Sequence, residues 1–294
     1  MKRGKIIIQH HFLNRCTVPG AILLAVFGLV MSEGVFGGLF GYAFRLIFHS
    51  DIFMPYGSVL GALAVLAIYK RWFYPEFEGN LRGGRPGFGF RLALCALILW
   101  CTVPFAILRE PENYGLPTVS SIGMALMAGF CEETAFRGLP LSYLMRQWKE
   151  ESKIIPAVML TSGLFALVHG SNLLAGADVG STILQIAAAL GIGVFLGAVV
   201  LRSGNLWPVI AVHTVNDAIA FLNTKGHSGG VMAGGVTPGD VIALVQCAIL
   251  CGIGFWLIRP AKRREIIALW LEKWRPLPEA KNVEEGKAAA RWGE

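Results

Sequence analysis

Residues 129–138 read GFCEETAFRG, set between the apolar stretches SSIGMALMA (120–128) and LPLSYLM (139–145). Glu132, Glu133 and Arg137 therefore stand inside a segment that otherwise reads as membrane-spanning. Each ionisable side chain placed in a span costs about 2.5–3.5 kcal/mol on insertion scales. Three within six residues require a reason.

The rest of the chain supports the membrane reading. Of 294 residues, 54% are hydrophobic and 15% charged, well below the ~25% charged residues of soluble domains. Apolar runs long enough for a ~30 Å hydrocarbon core occur at 17–44, 53–73, 89–108, 118–145, 154–173, 179–201, 207–222 and 240–258. The fold expected is all-α, a polytopic membrane protein of about eight transmembrane helices enclosing an intramembrane cavity.

Charge placement orients it. With the N-terminus in the cytosol, the cytosolic segments hold 22 of the 26 Lys and Arg residues. Arg45, Arg109 and Lys225 fall outside, and Arg137 lies within a span. This follows the positive-inside rule and puts both termini in the cytosol. The net charge of +7 is then accounted for by topology and anionic headgroups of the bilayer, and no nucleic-acid partner is required. The expected location is the plasma membrane of a prokaryote.

Three parts follow: a cytosolic N-terminal segment 1–16, a transmembrane domain 17–258 with a motif core at 118–223, and a cytosolic tail 259–294. The N-terminal basic stretch resembles the start of a signal peptide, but no small-residue cleavage site follows it, so the first span is read as uncleaved. In the tail, RPAKRREIIALWLEKW (259–274) has the pattern of a short amphipathic helix on the inner leaflet, and residues from about 276 read as disordered. The loop 70–91 is placed at the cytosolic interface. The six cysteines include no Cys-x-x-Cys pair and read as small packing residues.

Few ionisable residues remain inside the spans. The fourth holds Glu132, Glu133 and Arg137, the fifth His169, and the seventh His213 and Asp217 with Asn216 between them. Glu133 and Arg137 are four apart and can pair on one helix face, whereas Glu132 is ~100° around the helix and left free. His213 and Asp217 share a face, as do Phe165 and His169. Asn205 is a cap for the seventh span, with Pro208 in its first turn. Glu33 and Arg45 are assigned structural roles.

Intramembrane ionisable groups are by default a functional-site hypothesis. A carboxylate and a neutral imidazole suffice to deprotonate water, and a second His with an amide or acid can stabilise an oxyanion. That is acyl hydrolysis without a serine or cysteine nucleophile. No cofactor is required, although two His and a Glu also suit zinc with an open position. The His-Glu-x-x-His and Gly-x-Ser-Gly signatures are missing, and TPGD at 237–240 lacks the first glycine of Gly-x-Gly-Asp.

Three patterns occur in order: Glu132-Glu133-Thr-Ala-Phe-Arg137, Phe165-Ala-Leu-Val-His169 and His213-Thr-Val-Asn-Asp217. Together, over about 118–223, they resemble the CAAX protease and bacteriocin-processing family, also called Abi. The resemblance implies an intramembrane endopeptidase acting on a membrane-associated peptide or protein. It implies Glu132 as the general base with His169 helping it, His213 and Asp217 on the oxyanion side, and Glu133, Arg137, Asn216 and Phe165 in support. At the last motif position the family's prenyl-protein proteases carry Asn, so here either Asp217 bears a proton or Asn216 does the donating. Two other classes use the same residues: a non-catalytic regulator or bacteriocin-immunity protein, and a proton-relaying transporter. The lack of an inverted repeat disfavours the transporter.

Overall fold

The structure, a computed structural model, describes residues 16–100, 115–222, 236 and 238–274. Residues 1–15 of the expected segment 1–16, residues 101–108 of span 89–108 and the tail from 275 lie outside the described residues.

The first span is one rod of 32 residues: α1 (Thr17–Leu29), a π-helical turn at Val30–Val35, and α2 (Phe36–Phe48). It turns back through Ser50, whose side chain caps the short turn Asp51–Phe53, into α3 (Met54–Ile68). Glycines bring these two rods together: a Cβ on Gly57 would stand 2.1 Å from the Gly41 nitrogen. Gly37-x-x-x-Gly41 faces Gly57-x-x-x-Gly61, the small-residue spacing that lets membrane helices touch backbone to backbone.

α4 (Pro86–Trp100) follows the loop, and α5 (Val119–Glu133) begins at a capping box between Thr118 and Ser121. α5 runs into a π-helical stretch, Thr134–Leu141, and then α6 (Ser142–Gln147). Pro140 explains the widening, because it lacks the N–H that an α-turn needs. The Leu139 carbonyl is taken up by Tyr69 Oη at 3.3 Å and Ser142 Oγ at 3.0 Å, as a low-dielectric setting demands.

α7 (Ile154–Val168) ends in a 3-10 stretch, His169–Ala175. The 25-residue α8 (Val179–Ser203) is the centre of the bundle, buried continuously over 191–201 and packed on α7 and on α10 (Pro238–Leu257). Between them α9 (Trp207–Ala220) has 14 residues. At 1.5 Å per residue it reaches ~21 Å, short of a full crossing on its own. Leu206, not the expected Asn205, occupies the cap position; Asn205 Oδ1 accepts from Trp207 N at 2.9 Å while its amide donates to Gly83 O at 3.0 Å, so Asn205 ties the start of α9 to the 74–85 loop.

Among the described residues all regular structure is helical. Among the described residues four rods are long and apolar enough to cross a membrane, Thr17–Phe48, Asp51–Phe73, Glu151–Ala175 and Val179–Ser203, or five if Val241–Leu257 and the helix after it count as one bent span. Of the expected runs that lie wholly among the described residues, 118–145 and 207–222 do not yield a helix that meets this measure. Large apolar side chains such as Leu39, Ile98, Leu167 and Ile183 are exposed along the rods, which suits lipid. Long apolar rods and lipid-facing side chains point to an integral membrane protein.

The tail helix α11 (Pro260–Lys273) bends 74° from α10. Its stripe was expected to face the leaflet, yet Ile266, Trp270 and Lys273 are buried in protein. Trp270 Nε1 donates to Leu201 O at 3.1 Å, and Phe77 stacks on Trp274 at 4.2 Å. Lys273 Nζ reaches Glu78 at 3.1 Å and Arg82 O at 3.0 Å. The aromatic stripe thus has a protein groove, made by the 74–85 loop, to fill. The exposed Arg45–Asp51 pair, at 3.1 Å, joins the ends of the first two rods.

Candidate active site

Four helical elements supply the site. α5 ends with Glu132 and Glu133, and the π-helical stretch carries Arg137. Phe165 stands in the last turn of α7, just before His169, and α9 carries His213, Asn216 and Asp217.

Glu133 and Arg137 form the expected pair at 2.9 Å, and both side chains are wholly sealed. The same oxygen, Glu133 Oε1, also takes His213 Nδ1 at 2.7 Å. A carboxylate in an ion pair has no proton to give, so Nδ1 is the donor. This holds the ring in one orientation and turns Nε2 the other way. Nε2 lies 3.5 Å from Glu132 Oε2 and 3.8 Å from Asp217 Oδ2. Glu132 faces His213, from a different helix.

These separations exceed ordinary hydrogen-bond lengths. Glu132 and Asp217 are each 21% exposed, against 6% for His213 and none for Glu133 or Arg137. The arrangement therefore has an open side bearing two carboxyls and one ring nitrogen, and a sealed side bearing the ion pair. Asp217 Oδ1 accepts from Asn216 Nδ2 at 2.9 Å, so the two candidates for the last motif position are coupled.

His169 does not approach Glu132: among the described residues no carboxylate comes within ion-pair distance of it. Its Nδ1 is 2.9 Å from Phe165 O, and because a carbonyl only accepts, Nδ1–H is the donor and Nε2 is left outward. Phe165 is the spacer. Its ring meets His169 edge-on at 4.9 Å and His213 edge-on at 5.8 Å, with the Arg137 guanidinium 4.3 Å above its centroid. The guanidinium has one bonded nitrogen, Nη1; Nε and Nη2 are buried without a hydrogen-bond partner. The aromatic face partly offsets that burial.

Two features of this site escaped sequence reasoning. The second bond to Glu133 joins residues 80 apart, and no spacing rule predicts it. The other is the Phe165 ring between His169 and His213, with the Arg137 guanidinium over its face. Among the described residues no three His, Cys, Asp or Glu side chains are grouped to hold a metal ion.

Residues 114–219 match the family model described as Rce1-like, type II CAAX prenyl endopeptidase Rce1-like. This agrees with the resemblance carried by the three motifs, all of which lie inside the matched segment. The matched family is one of proteases, which supports a hydrolase. No curated protein and no solved structure matches the chain.

Proposed function

We propose, taking residues 114–219 as a CAAX-protease-like core, that this chain is an intramembrane endopeptidase cutting a peptide bond of a membrane-associated peptide or protein. The observation that carries this is the facing of Glu132 Oε2 and His213 Nε2 across 3.5 Å, on the open side of a histidine whose other nitrogen is anchored to a sealed carboxylate.

In this reading Glu132 takes a proton from water, and the resulting hydroxide adds to the scissile carbonyl carbon. The carbonyl π pair moves onto oxygen, and N–H or O–H donors on the opposite wall stabilise it. Asn216 Nδ2 or a protonated Asp217 can supply them. Collapse breaks the C–N bond, and Glu132 returns its proton to the leaving amine. The products are one new carboxylic acid, which releases its proton to water, and one new amine. Glu133 and Arg137 act through His213, as an orienting carboxylate acts through the histidine of a triad. His169 serves the same cavity from across Phe165.

The wider topology belongs to the same proposal: about eight spans in residues 17–258 around a cavity, both termini in the cytosol, in a prokaryotic plasma membrane. The four or five rods of sufficient length and the bias of Lys and Arg toward one side support it.

The test is Glu132→Gln in cells, with membrane peptides compared against wild type. The expected result is accumulation of uncut substrate, repeated by His213→Ala. If the variant leaves the peptide population unchanged and complements fully, the protease reading fails and a binding role takes its place.

A further inference from the structure

His169 opens the 3-10 stretch His169–Ala175, and no residue of that stretch is buried. Leu173 and Leu174 point away from the protein, the latter 92% exposed. Core packing therefore does not fix the element that carries this histidine. Its contact with α8 is thin: a Cβ on Gly170 would stand 3.8 Å from Ile186 Cδ1. Two of its side chains bond within their own arm of the hairpin. His169 Nδ1 donates to Phe165 O at 2.9 Å, and Ser171 Oγ to Val168 O at 2.7 Å. A third side chain reaches out: Asn172 Nδ2 donates to Gln185 Oε1 of α8 at 2.8 Å. Among the described residues this is the one side-chain hydrogen bond joining the stretch to another helix.

The 3-10 geometry makes that bond matter for His169. A 3-10 helix has three residues per turn and eclipses positions three apart. Asn172 thus stands one turn beyond His169 on the same side, about 6 Å along the axis. Turning the stretch far enough to part Asn172 from Gln185 turns His169 with it. The far partner is firmly seated. Gln185 lies two turns into α8, whose start is capped by Asp178 Oδ1 accepting from Ser181 N at 2.9 Å. Asn172 also closes the corner between the two elements. Its carbonyl accepts from Ala177 N at 3.0 Å, just past Gly176, which has a φ of +87°. Both amides are half-buried, and polar side chains at such positions in membrane helices bond across to a neighbour for want of water.

We propose that Asn172 is a positioning residue of the active site, holding the His169 imidazole edge-on to Phe165 through its bond to Gln185. This rests on the protease reading only for its effect on cleavage. The Phe165 ring meets both His169, at 4.9 Å, and His213, at 5.8 Å. A shift of the 3-10 stretch therefore moves one histidine relative to the other. A bond that merely ties two helices together changes stability and leaves His169 as it was, so the response of His169 separates the two roles.

The test uses the full chain reconstituted in vesicles, with Asn172→Leu, Gln185→Leu and the reciprocal exchange Asn172→Gln with Gln185→Asn. The exchange keeps the combined length of the two side chains and so restores the bond. The first readout needs no proteolysis: carbethoxylation by diethyl pyrocarbonate, which attacks the unprotonated imidazole nitrogen, followed by mass spectrometry. The rate at His169 is expected to rise severalfold in each Leu variant and to return in the exchange, while His213, 6% exposed, is unchanged. The second is cleavage. In the Leu variants kcat is expected to fall about tenfold, less than the ~100-fold of a 1 Å misplacement, with KM and melting temperature near wild type, and the exchange recovers it. A wild-type labelling rate at His169 in both Leu variants overturns the proposal. So does an exchange that melts like wild type yet labels like the Leu variants. Altered and rescued labelling in a chain that cleaves nothing leaves the positioning role standing and removes the protease reading instead.

Discussion

His213 Nδ1 lies 2.7 Å from Glu133 Oε1. Through that bond an ion pair local to one helix becomes the foundation of a site assembled from several. The pair itself satisfies the charge within its own turn, and the histidine makes use of what it holds in place.

Breaking that foundation has two separable effects. Arg137→Met leaves Glu133 as an uncompensated buried charge, and removing one partner of a buried pair costs about 3–5 kcal/mol. The double change Glu133→Leu with Arg137→Met replaces both charges by apolar groups and is expected to regain most of that stability. Cleavage stays lost in the double variant, because His213 no longer has its carboxylate. Thermal unfolding in detergent reads the first effect and peptide cleavage the second. A double variant that is stable and active would show that Glu133 does nothing for His213.

Helix spacing at the site is predicted to matter more than helix stability. A Cβ on Gly129 would stand 2.2 Å from Thr214 Oγ1 and 3.0 Å from Ile210 O, one turn before Glu132 and Glu133. Gly129→Ala must therefore push α9 from α5 and widen the Glu132–His213 separation. Overpacking of this kind costs typically 1–3 kcal/mol, while a misplacement of about 1 Å can reduce rate ~100-fold. Gly163→Ala, with nothing within 4 Å of its Cβ, is expected to match wild type. Cleavage rate and melting temperature of both variants are the measurement.

The tail helix gives a pH prediction. Hydrogen bonds from Lys262 and Arg202 hold the Glu265 carboxyl down at about 2, from an ordinary 4.5. A carboxyl whose folded value is depressed stabilises the folded state above its unfolded value and loses that contribution as pH falls through the folded one. Docking of α11 should thus weaken between about pH 4.5 and 2. Hydrogen exchange over residues 260–273 is expected to rise across this window in wild type and to be flatter in Glu265→Gln. The group is exposed, so the effect is small and diminished by salt.

Cleavage by the purified chain is expected to persist with a strong zinc chelator present. Activity lost to the chelator and restored by zinc would instead place a Lewis acid on the Glu132–His213 side.

Much of this was legible in the amino-acid sequence, and for clear reasons. Length of apolar run identifies rods such as Thr17–Phe48 and Val179–Ser203, because crossing lipid imposes a minimum hydrophobic length. The Glu133–Arg137 pair followed from spacing alone, since both partners lie on one helix. The three motifs identified which residues to bring together. Spacing could not reveal that Glu132 faces His213 while His169 turns to Phe165. Nor could it reveal that Trp270 fills a groove of the bundle and not the leaflet, for an apolar stripe does not say which apolar surface it will meet.

The amino-acid sequence by itself determined the helical, membrane-embedded class, the residues available for chemistry and the one charge pair internal to a helix. These depend on hydrophobicity and on the 3.6-residue repeat, which are local properties. Only the tertiary structure decided that Glu133 serves His213 and that Glu132 and Asp217 share the open side. Those are relations between helices, set by where small residues such as Gly129 allow backbones to touch.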